Sequence, residues 1–72
     1  MDQTTKIRVQ LNGKQREIDG GHTVASLLAS LELSPGMVVF ELNREILARD
    51  SYDDIGVSDG DALELVHFVG GG

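Results

Sequence analysis

Cysteine is absent from the 72-residue sequence. Without it no disulfide can stabilise the fold, and no thiolate can act as a nucleophile or as an iron–sulfur ligand. The chain also cannot carry sulfur on a side-chain thiol, so any sulfur that it carries must be attached elsewhere. The length fits one domain, residues 1–72, whose core must be small because short chains bury less of their surface.

Basic residues are few: six Lys and Arg stand against twelve Asp and Glu, and the formal net charge is −6. A protein that binds nucleic acid needs a basic surface to displace counterions from phosphate, and an anionic membrane repels an acidic surface. We therefore expect neither nucleic acid nor membrane as a partner. The acidic residues are expected to form a solvated surface or to steer a basic protein partner toward it.

Long apolar runs are absent as well. No segment approaches the ~20 apolar residues that are needed to cross a bilayer. Residues 1–6 also contain no apolar stretch that could serve as a signal sequence. These two absences lead us to expect a cytoplasmic location for the protein.

Motifs for catalysis and cofactor binding are missing too. The chain has no Gly-x-x-x-x-Gly-Lys-Ser/Thr phosphate loop. The two histidines, His22 and His67, have no companion ligands nearby in the sequence that would suggest a metal site. The acidic segment 50–61 fails as a calcium loop, since aligning either of its glycines leaves Ser or Ile at the first ligand position. We expect a protein that is not an enzyme and that binds no metal or cofactor itself.

The first half of the chain is patterned as a β-hairpin followed by one helix. Residues 6–11 alternate polar and apolar side chains, and Asn12-Gly13 is typical of a type I′ turn. Residues 15–19 form the return strand, with Ile18 directed inward. The helix is predicted to begin after the N-cap Thr23 and to end at Ser34-Pro35-Gly36. Its apolar stripe consists of Val24, Leu27, Leu28 and Leu31.

The second half is patterned as strands and turns. Residues 37–42 are predicted to form a strand that buries Val38, Phe40 and Leu42 and exposes Val39 and Glu41. A turn at residues 43–45 leads to a short strand at Ile46-Leu47, and residues 52–56 form an irregular turn. Asp59-Gly60-Asp61 is a turn into the last strand, residues 62–69, whose inward side chains are Leu63 and Leu65.

This order of elements predicts an α+β fold. A mixed sheet of four to five strands packs on one helix, which gives two layers. The first and last strands are expected to pair in the middle of the sheet, as they do in the β-grasp arrangement. No internal repeat or linker interrupts the sequence.

The last predicted strand runs into three glycines, Gly70, Gly71 and Gly72. Glycine is entropically costly to order, so a glycine tail is a poor structural element. It can instead thread a narrow channel, and nothing crowds its acyl carbon. We predict a flexible tail at residues 70–72 whose Gly72 carboxylate is activated by another protein, with Gly71 and Gly70 recognised by that protein. The alternatives are a frayed terminus and a cloning remnant.

The strand before the tail is predicted to expose apolar side chains. Val66 and Phe68 should face away from the helix, with Val39 near them on the neighbouring strand. Exposed apolar side chains at the root of a reactive tail suggest a docking patch for the enzyme that takes the tail. The alternative is that they are isolated surface hydrophobes, which are normal on any protein.

Five segments carry a resemblance to a known family: residues 9–13, residues 23–28, residues 42–46, residues 59–61 and the ending 68–72. Together they resemble the ThiS family of sulfur carrier proteins, which have a ubiquitin-like β-grasp fold and serve thiamine biosynthesis. The resemblance covers nearly the whole chain. One departure is Ser51-Tyr52, where family members often have a tryptophan.

The resemblance implies a cycle in which the chain is a co-substrate and not a catalyst. An E1-like adenylyltransferase uses ATP to form an acyl-adenylate on the Gly72 carboxylate. Sulfur from a donor such as a cysteine desulfurase then replaces the adenylate and leaves a thiocarboxylate. Thiazole synthase takes this sulfur for the thiazole ring of thiamine.

Three alternatives stay open at this point. The small subunit of molybdopterin synthase looks similar and carries sulfur in the same way, although it is usually somewhat longer. A ubiquitin-like modifier would form isopeptide bonds to lysines instead of a free thiocarboxylate. A passive β-grasp interaction module would not use Gly72 at all.

Overall fold

A computed structural model of the protein describes residues 5–67. The predicted site residues Phe68, Gly70, Gly71 and Gly72 lie outside this described range, as does the predicted end of the last strand. The elements in chain order are β1 (Lys6–Leu11), β2 (Lys14–Asp19), α1 (Val24–Ser30), a 3₁₀ turn (Pro35–Met37), β3 (Val38–Leu42), β4 (Glu45–Ile46), a second 3₁₀ turn (Arg49–Ser51) and β5 (Ala62–His67).

The five strands form one mixed sheet in the order β2-β1-β5-β3-β4. The last strand, β5, runs parallel to β1 and antiparallel to β3, and both hairpins are antiparallel. The single helix α1 covers one face and buries Val24, Leu27 and Leu28. The predicted two-layer β-grasp fold, with its first and last strands paired at the centre of the sheet, is confirmed.

Both hairpins close through two residues with positive φ. In the first, Asn12 has φ 52° and Gly13 has φ 83°; in the second, Asn43 has φ 52° and Arg44 has φ 72°. Two consecutive positive φ angles are the requirement of a type I′ turn. Because the second turn needs only two residues, Glu45 already pairs with Leu42, so β4 begins one residue before the predicted short strand.

The helix begins and ends with satisfied backbone groups. Thr23 and Ser26 form a reciprocal capping box at its start. At its end the Leu33 N–H donates to the Leu28 carbonyl and the Glu32 N–H to the Ala29 carbonyl, with Glu32 at φ 60°. This is the Schellman arrangement, and it stops the helix before the proline is reached.

The core contains two side chains that the sequence pattern did not predict. Tyr52 is 3% exposed, its ring centroid lies 6.0 Å from that of Phe40, and its hydroxyl donates to the Val38 carbonyl at 3.4 Å. Val57 is also buried. The segment around Tyr52 accepts hydrogen bonds from the first turn of α1, with Ala25 N–H donating to the Tyr52 carbonyl at 2.9 Å. The predicted irregular turn is therefore part of the core.

Two asparagine side chains hold β5 from opposite sides. On the β1 side, the Leu65 N–H donates to Oδ1 of Asn12 at 2.8 Å, and the Asn12 N–H donates to the Leu63 carbonyl. On the β3 side, the Ala62 N–H donates to Oδ1 of Asn43 at 2.9 Å, and the Asn43 N–H donates to the Ala62 carbonyl. Each turn therefore extends the hydrogen-bonded ladder of β5 beyond the end of the strand that precedes the turn.

Replacing Arg44 by glycine should stabilise the fold. A non-glycine residue in the left-handed region costs roughly 1–2 kcal/mol, and the extra chain entropy of glycine offsets part of this gain. We expect Arg44→Gly to raise the free energy of unfolding by about 0.5–1 kcal/mol in urea titrations. Gly13→Ala is the matched control with the opposite sign: its added Cβ meets no atom within 4 Å, so only the positive φ opposes it. Equal midpoints for both variants and the parent would contradict this account.

Replacing Asn12 by glycine should loosen β5 locally. Glycine keeps the turn but removes the acceptor of the Leu65 N–H, so we expect a loss of about 1 kcal/mol and faster amide exchange at Leu65. Asn12→Asp retains a side-chain oxygen and should retain the protection. Asn43→Gly is the control, because it should expose the Ala62 amide and spare that of Leu65. Unchanged exchange at Leu65 in Asn12→Gly would show that the side chain contributes nothing to β5.

Candidate functional site

Hydrogen bonds to β1 and to the β3–β4 turn hold the turn at residues 58–61, which directly precedes β5. These bonds fix the position of the start of β5. Asp59 accepts from the Arg8 N–H through Oδ1 at 2.8 Å, and the Gly60 N–H donates to the Arg8 carbonyl at 2.7 Å. Gly60 has φ +89°, which a residue with a Cβ rarely adopts. Asp61 accepts from the Ser58 N–H at 2.8 Å and from Nδ2 of Asn43 at 3.1 Å. The strand that leads to the glycines is thus anchored at its start.

The sheet face away from the helix carries apolar side chains next to the root of the tail. Val66 of β5 is 56% exposed and pairs in register with the half-buried Val39 of β3. Ile46 of β4 is 67% exposed and pairs with Glu41, whose other neighbour is Glu64 of β5. We call the surface formed by these five residues the root face.

The structure thus brings together two of the predicted docking residues, Val39 and Val66, as direct cross-strand neighbours. Ile46 is not identified by the sequence pattern, which predicts the β4 strand one residue late and assigns no face to this side chain. The pattern also misses the pairing of Glu41 with Glu64, since only the register between two distant strands reveals it. The third predicted docking residue, Phe68, lies outside the described range.

On the β1–β2 side of this sheet face, charged residues lie opposite residues of the other sign. Lys6 and Asp19 are register partners joined by a 2.6 Å salt bridge between Nζ and Oδ1, and this hydrogen bond raises the pKa of Lys6. Arg8 lies opposite Glu17 in the same hairpin. The root face differs, because its two acidic residues lie opposite each other. Within residues 5–67, no hydrogen bond or salt bridge joins the side chain of Glu41 or Glu64 to another group.

The described residues contain no buried polar or charged side chain and no group of three or more residues that could hold a metal ion. The Nδ1 atom of His22 lies 2.8 Å from Oγ of Ser26, in the capping network of α1. His67 is exposed near the end of the described chain. No helix within the described range is long and apolar enough to cross a membrane.

Comparison with solved structures finds the same fold in a protein of known family. The crystal structure of the thiamine biosynthesis protein ThiS from Geobacter metallireducens superposes with a TM-score of 0.77 at 39% sequence identity. The match covers 92% of this chain and 100% of that chain. At this identity and coverage, the likeness extends to sequence as well as fold.

Two kinds of curated protein match this chain: a sulfur carrier of similar length and longer thiazole synthases. The sulfur carrier protein ThiS of Bacillus subtilis is 44% identical over 66 residues, which cover 89% of this chain and 98% of that protein. A thiazole synthase of Paramagnetospirillum magneticum is 39% identical over 66 residues, which cover 92% of this chain but 20% of that protein. The chain therefore spans about a fifth of the thiazole synthase and nearly all of the carrier.

The sequence profile of the ThiS family matches residues 9–72, which include the three terminal glycines. This match decides between the thiamine and molybdopterin alternatives that the sequence left open. The match covers more than half of the chain, and the B. subtilis carrier agrees with it over almost its full length. The chain belongs to the ThiS family of sulfur carrier proteins of thiamine biosynthesis.

Proposed function

We propose that the chain carries sulfur as a thiocarboxylate on Gly72 and delivers it for thiazole formation. The observation that carries the proposal is the family match, which continues through Gly70, Gly71 and Gly72. The described residues add a fold whose central strand, β5, directly precedes this tail in the sequence. In this proposal the chain is a co-substrate, and separate enzymes perform each chemical step.

The chemistry starts from a carboxylate, which is a poor electrophile. A separate E1-like adenylyltransferase binds ATP. An oxygen of the Gly72 carboxylate attacks the α-phosphorus of this ATP, and pyrophosphate leaves. The terminal sulfur of a persulfide on a cysteine desulfurase or a similar donor then attacks the acyl carbon and displaces AMP, which gives an acyl disulfide. A thiol reductant cleaves the S–S bond of this acyl disulfide and releases the thiocarboxylate. The resulting thiocarboxylate holds the sulfur until thiazole synthase takes it. Glycine suits this role because it places no Cβ beside the reacting carbon.

In this proposal, a partner enzyme recognises both the tail and the folded domain, each at a different place on its surface. Gly72 lies six positions after Val66, and an extended chain spans at most ~3.3–3.6 Å per residue. The carboxylate can therefore reach about 20 Å from the root face into a partner's pocket. We propose that Gly70 and Gly71 occupy the entrance to that pocket while Val39, Val66 and Phe68 dock outside it.

The thiazole synthase relatives support the proposed delivery step. In the P. magneticum protein, a segment similar to this chain belongs to the same polypeptide as the rest of the thiazole synthase. A second thiazole synthase, from Magnetococcus marinus, is 33% identical to this chain over 66 residues, which again cover 92% of this chain and 20% of that protein. Joining two activities in one chain raises their effective concentration for each other. We therefore propose a thiazole synthase as the acceptor of the sulfur from this chain.

Deletion of Gly72 tests the chemistry directly. The protein is incubated with its adenylyltransferase, ATP and a sulfur donor, and its intact mass is measured. The parent should gain the difference between one sulfur and one oxygen, and the variant lacking Gly72 should not. A variant with one alanine added after Gly72 is the control: it keeps every residue but displaces the carboxylate, and it should also fail. If the deletion variant gains the same mass as the parent, Gly72 is not the site of modification.

Substitution of Val66 tests docking separately from chemistry. Val66→Ser should raise the KM of the carrier for adenylation roughly fivefold or more with little change in kcat, since about 1 kcal/mol or more of apolar burial is lost. Because Val66 is exposed, the variant should keep nearly the stability of the parent. Val66→Ile keeps the apolar surface and serves as the matched control. A KM that is the same for both variants would mean that this side chain does not dock.

A further inference from the structure

The pair formed by Glu41 and Glu64 is an unfavourable arrangement for the isolated protein. The two residues are direct cross-strand neighbours, and like charges directly opposite each other destabilise a sheet. The same face solves this problem elsewhere, because Lys6 lies opposite Asp19 and Arg8 lies opposite Glu17. Within residues 5–67, a like-charged cross-strand pair on this face therefore occurs only at the root of the tail.

Three apolar side chains border this acidic pair. Val66 and Val39 form the next cross-strand row along β5 and β3, and Ile46 lies beside Glu41 on β4. Val66 and Ile46 are both more than half exposed. A protein that covers these apolar side chains must also remove water from the two carboxylates between and beside them.

Loss of water changes the energetics of the pair. In water the repulsion between two carboxylates is weak, but it strengthens as the effective dielectric constant falls. A buried charge without a partner is strongly unfavourable, whereas a buried charge with a hydrogen-bonded counterion is tolerated. An entirely apolar partner surface is therefore disfavoured on the root face, and a surface with a central cation is favoured.

We propose that Glu41 and Glu64 together bind one basic side chain of the adenylyltransferase that takes the tail. An arginine fits best, since its planar guanidinium can donate to two carboxylates at once. Apolar residues of the enzyme surround this side chain and cover Val39, Val66 and Ile46. This inference rests on the proposed function, in which the adenylyltransferase activates Gly72 and the root face lies on the strand that leads to Gly72 in the sequence.

The test compares two double variants that remove the same charge. Glu41→Gln with Glu64→Gln alters the acidic pair; Asp53→Asn with Asp54→Asn alters two exposed acidic residues in the segment that packs against the start of α1. Each double variant loses two negative charges, so a general effect of net charge is the same in both. The probe is the purified adenylyltransferase, titrated with full-length protein at low and at physiological ionic strength.

We expect the dissociation constant of the Glu41/Glu64 double variant to rise about tenfold, and that of the Asp53/Asp54 variant to change less than about twofold. The salt dependence of binding should fall in the first variant only. The first variant should unfold at an equal or higher urea concentration than the parent, because the repulsion is relieved. Equal affinities for the two double variants would overturn the inference.

The same samples separate this inference from the proposed function. If the parent gains sulfur and the Glu41/Glu64 variant binds as tightly as the parent, the inference fails and the proposed function stands. If the parent binds the enzyme through the acidic pair but never gains sulfur, the proposed chemistry fails and the docking site stands. If the parent does not bind the adenylyltransferase at all, both are wrong.

Discussion

The central position of β5 is the constraint on which the rest of the structure depends. The registered pairing of β5 with β1 covers only two residue pairs. Leu63 of β5 is nevertheless part of the core, and the tail follows β5 in the sequence. The asparagine side chains of the two hairpin turns make up for this short pairing, since each accepts a hydrogen bond from a β5 amide. The turns therefore do two tasks: they reverse the chain and they fix the strand between them.

Local patterns in the sequence predict the parts of this fold that depend on local physics. Alternation predicts β1 and β3, and Thr23 with its following apolar stripe predicts α1. Asn12 and Asn43 are recognisable as turn residues because they tolerate positive φ. Their second task is invisible in the sequence, because Asn12 and Leu65 are 53 positions apart. Tyr52 is missed for a related reason: it enters the core from a segment with no helix or strand period.

The same distinction applies to the candidate site. Val39 and Val66 are predicted to be exposed because side chains alternate along a strand, and this needs no knowledge of the neighbouring strands. The opposition of Glu41 and Glu64 needs the register of β3 against β5. The hydrophobic pattern excludes a shift by one residue but not a shift by two, because side chains alternate with a period of two. The chemistry of the tail comes from the family match and not from the geometry, since residues 68–72 lie beyond the described chain.

A sulfur carrier must be accepted by the right enzymes and refused by other proteins, and the root face suits both needs. Apolar side chains alone would attract many surfaces, because apolar burial is not directional. Two facing carboxylates make contact unfavourable for any surface that has no cation opposite them. Selectivity then follows from a difference in free energy between two kinds of partner. The repulsion that weakens the free protein is in this view the same interaction that selects its enzyme.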